Sequence, residues 1–156
     1  MCLTAREVMD TSFYTLSAEA SLAEAVRIFK QASREQEQAV LGMMVTDTGG
    51  QLVGLLSMYD ILLLLRPKHI HIWGEMQDLE MTGLLEAACR RAGSLRVGDI
   101  MTTEVITITP DTHLLMIIDI MIKKHVRRLP VLEKGQIVGI VYLAGVFNHL
   151  LQRLAP

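Results

Sequence analysis

The chain is written twice. Val8-Met9 and Ile100-Met101 open two passages that read alike, and through the first part of each copy equivalent residues stay 92 apart. Glu7-Val8-Met9 answers Asp99-Ile100-Met101, Thr15-Leu16-Ser17 answers Thr107-Ile108-Thr109, and Leu22 answers Leu114. After a length difference the copies realign at spacings of 86 and then 85, which set Val45 against Val131 and Gly54 against Gly139. A unit of roughly sixty residues buries too little surface to be more than marginal alone, so the copies are expected to fold against each other. Self-similarity also predicts a pseudo-twofold axis with equivalent clefts. Differences between the copies then mark where one cleft has specialised.

The 156 residues are 51% hydrophobic, enough for one shared core. Net charge is −2 with acids and bases interspersed, which excludes the one-sided positive balance of a general nucleic-acid binder. Cys2 and Cys89 are the two cysteines, a usage that points to a reducing cytoplasm rather than to a disulfide framework. The N-terminus carries no basic segment followed by an apolar stretch. The longest uninterrupted apolar run, residues 61–65, is far short of the ~20 residues a membrane-spanning helix needs. The expectation is a cytoplasmic protein with neither a membrane nor a nucleic-acid partner.

Each copy predicts the same order of elements. Residues 13–16 are extended in character, Ser17 is a candidate cap, and Leu22, Ala25, Val26 and Phe29 fall on one helical face. In the second copy Val105-Ile106-Thr107-Ile108 is β-branched, Thr109 is the candidate cap, and Pro110 suits a first helical position. A stripe of Leu114, Ile117, Ile118, Met121 and Ile122 follows. A hairpin comes next, turning at Asp47-Thr48-Gly49-Gly50 in the first copy and at Lys134-Gly135 in the second. Helices over residues 58–65 and 143–154 close the copies. The pattern is β-α-β-β-α twice, an α+β fold with a three-stranded sheet in each copy. Residues 1–65 form the first repeat, 66–94 a connector with a helix over 75–91, and 95–156 the second repeat. The apolar run 61–65 cannot hide every face on one sheet, which predicts a homodimer.

Two stretches carry candidate chemistry. Ser57-Met58-Tyr59-Asp60 runs from a strand into a helix. Ser-x-x-acid is a capping box, and that reading is the ordinary one. Alternatively, Asp60 accepts hydrogen bonds from two neighbouring hydroxyls, as on a ribose. The second copy replaces Ser57 with Tyr142 and Asp60 with Gly145, which favours a ligand role for Asp60 and predicts that the other cleft lacks its carboxylate. The second stretch, Lys123-Lys124-His125-Val126-Arg127-Arg128, places Arg127 and Arg128 at a strand entrance where guanidinium groups can meet phosphate oxygens. Lys123 and Lys124 equally suit a helix C-terminus. His69 and His71 are two potential metal ligands without the rest of a set, so no metal site is expected. Neither a nucleophile elbow nor a phosphate-binding glycine loop occurs, and no enzyme is predicted.

Taken together, Val8-Met9 and Asp99-Ile100-Met101, Thr109-Pro110-Asp111, Arg128-Leu129-Pro130-Val131 and Gly54…Ser57-x-x-Asp60 resemble tandem CBS domains, the paired modules named after cystathionine β-synthase. The resemblance covers everything but the connector. It implies two repeats about a pseudo-twofold axis and an adenosine-containing ligand, AMP, ADP or ATP, in a cleft between them. It further implies that Ser57 and Asp60 hold the ribose, that Val105, Ile106 and Thr107 flank the adenine, and that Arg127 and Arg128 meet the phosphates. Paired arginines make cationic S-adenosylmethionine the less favoured ligand. The implied role is regulatory, exerted on an unidentified effector protein; the alternative is a dimerisation or adaptor module that binds no nucleotide.

Overall fold

The computed structural model describes residues 3–37, 39–66 and 78–156. Its elements run α1 (Ala5–Val8), β1 (Thr15–Ser17), α2 (Leu22–Glu35), β2 (Gly42–Thr46), β3 (Leu52–Ser57), α3 (Met58–Leu65), α4 (Asp78–Gly93), α5 (Val97–Ile100), α6 (Leu114–Lys124), β4 (Arg128–Glu133), β5 (Gln136–Tyr142) and α7 (Leu143–Leu154). The expected connector helix is α4; the start predicted for it, and His69 and His71, lie outside the described residues.

The chain divides into two compact units that exchange their opening segments. A central unit holds Tyr14–Gly49 and Val53–Glu104, so it combines most of the first copy with the start of the second. A terminal unit holds the residues up to Phe13, Gly50–Leu52 and Val105–Pro156.

In the central unit β1, β2 and β3 form a three-stranded sheet in that order, with β1 parallel to β2 in the register Leu16↔Val45. Leu16, Leu22, Ala25, Met43, Val45, Leu56 and Val97 make its core. The cap of α2 is Ser21, whose hydroxyl accepts from Glu24 N–H at 3.1 Å, and not Ser17 as the sequence suggested. The reason lies in the opening of copy two. Val97 N–H donates to Ala20 O at 2.8 Å and Gly98 N–H to Ala18 O at 2.9 Å, which holds residues 18–20 in a turn outside the helix and delays its start. Ser17 instead closes a tight turn by accepting from Glu19 N–H at 3.2 Å.

The terminal unit repeats the design with two changes. Its cap is His113, 92 residues after Ser21, with Nδ1 accepting from Leu115 N–H at 3.0 Å. Thr109 and Pro110 stand before the helix rather than at its start, because Arg6 N–H bonds the Pro110 carbonyl at 3.0 Å and Ala5 N–H the Thr112 carbonyl at 2.8 Å. Its sheet is two-stranded, β4 antiparallel to β5, where three strands were expected. Of residues 105–108, Ile108 alone reaches it, by a parallel bridge to Val131 made through Pro130 O (3.0 Å) and Leu132 N–H (2.9 Å). The next parallel step would need an N–H from residue 130, and proline has none. At the matching place in copy one stands Met44, and there the ladder continues as β1. Residues 105–107 thus stay outside the sheet. The turn is as expected: Lys134 (φ 52°) and Gly135 (φ 78°) are both left-handed, as a two-residue hairpin of this hand requires.

Candidate functional site

In the central unit β3 delivers Ser57 directly to the first turn of α3. Ser57 Oγ accepts from Asp60 N–H at 3.2 Å, while Asp60 Oδ2 accepts from Ser57 N–H at 2.9 Å. The capping box is real, then, and the Ser57 hydroxyl adds a 3.1 Å contact to the same Oδ2. What the box leaves available is Oδ1. That oxygen meets Thr102 Oγ1 at 3.3 Å, and Thr102 is exposed. Ser57, Asp60 and Thr102 therefore form one hydroxyl–carboxylate–hydroxyl group in which Ser57 and Asp60 are half-buried and Thr102 is exposed.

Thr102 is placed by Gly54. Thr102 N–H donates to Leu55 O at 2.8 Å and Leu55 N–H to Thr102 O at 2.9 Å, a bridge that brings the chain hard against β3. A Cβ on residue 54 would lie 2.8 Å from the Thr102 carbonyl oxygen and 2.6 Å from Met101 Sδ, closer than side chains tolerate. Only glycine admits the approach.

The terminal unit builds the same junction from other residues. Asp10 and Ile140 exchange hydrogen bonds of 2.8 and 3.0 Å, and a Cβ on Gly139 would lie 2.9 Å from Asp10 O and 2.7 Å from Met9 Sδ. Asp10 thus stands where Thr102 stands in the central unit, Tyr142 where Ser57 stands and Gly145 where Asp60 stands. Arg128 lies directly opposite Tyr142 in the β4–β5 register. Burial, reinforced by the Asp10 carboxylate and opposed by the Arg128 guanidinium, pushes the Tyr142 hydroxyl above its ordinary 10.0. A carboxylate is therefore present at this junction after all, carried by the entering segment and not by the helix. The sequence reading missed both Asp10 and Thr102. Their signal was available: each directly follows the methionine that opens its copy.

Of the other residues singled out, Arg127 is exposed at the entrance to β4, its carbonyl accepting from Leu143 N–H at 2.8 Å, and Arg128 is half-buried. Val105 and Ile106 are half-buried and Thr107 exposed, with Ile106 packed on the terminal core. Ser57 and Asp60 are in contact, as are the elements bearing Arg128 and Tyr142. Among the described residues no group of histidine, cysteine or acidic side chains could hold a metal ion, and no helix is long and apolar enough to cross a membrane.

Comparison with known proteins agrees with the repeat. The CBS domain family model matches residues 5–67 and again 97–152, roughly three quarters of the chain. A curated relative, the mitochondrial CBS domain-containing protein CBSX3 of Arabidopsis thaliana, is 37% identical over 59 residues, which is 36% of this chain and 29% of that protein. The match thus spans under a third of the relative's length. Among solved structures, CBSX2 in complex with AMP aligns with TM-score 0.69 and 25% identity over 97% of this chain and 98% of that one. The CBS domain pair of protein MJ0100, in complex with 5'-methylthioadenosine and S-adenosyl-L-methionine, aligns with TM-score 0.69 and 18% identity over 98% and 99%.

Proposed function

Since this chain belongs to the CBS domain family through both of its copies, we propose that it is a regulatory, non-catalytic module that binds an adenine nucleotide of the AMP, ADP or ATP class. The observation that carries the proposal is the second oxygen of Asp60. One oxygen completes the helix cap; the other, which accepts from the exposed Thr102 hydroxyl at 3.3 Å, is the one to which a ribose diol would donate. A similar chain of 25% identity is known in complex with AMP, which supports the same ligand class here. In this proposal Ser57 and Asp60 grip the sugar, Val105, Ile106 and Thr107 flank the base, and Arg127 and Arg128 balance phosphate charge. Those cations oppose the sulfonium of S-adenosylmethionine. The chain acts in the cytoplasm on an effector protein in trans, because only differential contacts in bound and free states can convey the signal. It does so as a homodimer: Leu143, Phe147, Leu151 and Leu154 form an exposed stripe along α7, with Phe147 54% accessible.

Calorimetry with AMP on ligand-stripped protein tests the proposal. Asp60→Asn keeps an acceptor for the cap but turns one carboxylate oxygen into an amide. A hydrogen bond to a charged group contributes about 1.5–3 kcal/mol, so affinity should fall roughly tenfold to a hundredfold. An unchanged affinity overturns the assignment. The completed capping box favours one other reading, an adaptor without a nucleotide, and a flat thermal-shift response to AMP, ADP, ATP, NADH and S-adenosylmethionine would establish it.

A further inference from the structure

Each opening segment is pinned to the start of a helix by the same set of backbone hydrogen bonds. In the central unit Leu22, Val97 and Gly98 N–H donate to Leu95, Ala20 and Ala18 O at 2.7, 2.8 and 2.9 Å. In the terminal unit Leu114, Ala5 and Arg6 N–H donate to Leu3, Thr112 and Pro110 O at 2.9, 2.8 and 3.0 Å. Isolated bridges join Ser21 to Arg96 and Thr4 to His113, so each joint is built on the residue that caps its helix. The caps differ in chemistry. Copy one uses a hydroxyl, which does not titrate near neutral pH, and copy two uses an imidazole, which does.

The His113 cap exists only while Nδ1 keeps its lone pair. Nδ1 accepts from Leu115 N–H at 3.0 Å, so the neutral ring carries its proton on Nε2. A second proton goes to the accepting nitrogen. It deletes the cap and sets a cation against the positive end of the α6 dipole. The first turn of α6 holds no acid to offset that cation, whereas the first turn of α2 holds Glu24. At the joint Arg6 and Asp111 pair with each other at 3.5 Å, and Glu7 accepts from Thr4 N–H at 2.8 Å and Thr4 Oγ1 at 2.6 Å. Further along, α6 carries the Asp119–Lys123 pair and Lys124. The helix α7, packed against α1 and α6, carries His149 and Arg153, both exposed.

We propose that His113 makes the terminal opening segment acid-releasable: a proton on Nδ1 frays the start of α6 and loosens residues 3–8 from it, while the Ser21 joint of the central unit stays closed. The inference rests on the fold and does not depend on nucleotide binding. Glu7 acts in a separate window. The Thr4 hydroxyl, and then the Thr4 N–H, hold its carboxyl below the ordinary 4.5. What Glu7 contributes is therefore complete above pH 4.5 and is lost only as pH falls through the lower folded value. Histidine takes its proton between about pH 5 and 8, so a loss in that range reports the imidazole and not the carboxyl.

The test is backbone amide exchange by NMR on the full chain, each rate divided by its intrinsic rate, at about pH 7.5 and 5. In the wild type, protection at Leu114 and Leu115 should fall about fivefold to tenfold on acidification, the equivalent of one lost cap and an opposed dipole. Protection should hold at Leu22, the counterpart of Leu114, and at Glu24, the amide that Ser21 caps. His113→Ser, which installs the cap of copy one, should abolish the fall; His113→Asn, another good cap, serves if serine unsettles the fold. No fall in the wild type, an equal fall at Leu22 and Glu24, or a fall that persists in both variants overturns the proposal.

Discussion

Replacing Gly54 by alanine tests how the central junction is held together. The new Cβ would sit 2.6 Å from Met101 Sδ and 2.8 Å from the Thr102 carbonyl oxygen. The thioether can swing aside, but the carbonyl moves only with its backbone. To regain an ordinary contact of 3.4 Å, the entering segment must retreat by about 0.6 Å. That stretches the Leu55–Thr102 hydrogen bonds, now 2.8 and 2.9 Å, beyond the useful range of about 3.2 Å. Overpacking costs about 1–3 kcal/mol. Two weakened bonds add up to about 1 kcal/mol each, and the stiffer unfolded chain offsets about 0.4–1 kcal/mol. The net is a loss of about 2–3 kcal/mol, or about 4–12 °C in Tm for a chain of this size. Urea and thermal unfolding followed by circular dichroism measure it directly. AMP affinity should fall in parallel, because the Thr102 hydroxyl recedes from Asp60. A variant within about 0.5 kcal/mol of the wild type would refute the reasoning, since the segment would then be yielding without cost.

Tyr142 gives a pH signature. Its hydroxyl ionises above the ordinary 10.0 in the folded chain, so the unfolded chain loses that proton first as pH rises. Stability is complete below pH 10.0 and declines as pH climbs through the folded value; Tyr142→Phe should flatten this alkaline limb of the urea midpoint, and superimposable limbs would contradict it. Gly145→Ala should stabilise α7 by about 0.5–1 kcal/mol in urea, because the added methyl meets nothing closer than 4.0 Å; a loss would mean hidden crowding. Phe147→Glu should convert the dimer to monomer in sedimentation velocity, and a monomeric wild type would remove the dimer from the proposal.

How much was legible in the sequence follows the range of the forces. Periodicity placed α2 and α6, and turn residues placed the two hairpins, because apolar spacing and turn chemistry act within a few positions. The Lys134-Gly135 turn needed only its own two residues. The caps were misplaced by four residues in both copies, and for one cause: the entering segments, more than seventy residues away in sequence, hold residues 18–20 and 110–112 out of the helix. The missing third strand was also written in the sequence, as Pro130, but only the register with Ile108 shows which hydrogen bond its ring deletes. Ser57 and Asp60 were readable because they are neighbours on one chain turn. Their partner Thr102, 42 residues on, became visible only when Gly54 was seen to admit it.

The exchange of opening segments also decides what can be cut from this molecule. A fragment ending at residue 65 would keep a clasp, residues 3–10, whose anchor at Ile140 and Leu114 has been discarded, and would lack the clasp that closes over Ala18–Leu22. Its counterpart starting at residue 95 would suffer the mirror-image loss. Each half is thus the other's missing piece, so the domain boundary that repeats suggest to a cloner is the wrong place for the scissors. Supplied together, the two pieces hold the complementary opening segments that the central and the terminal unit each require.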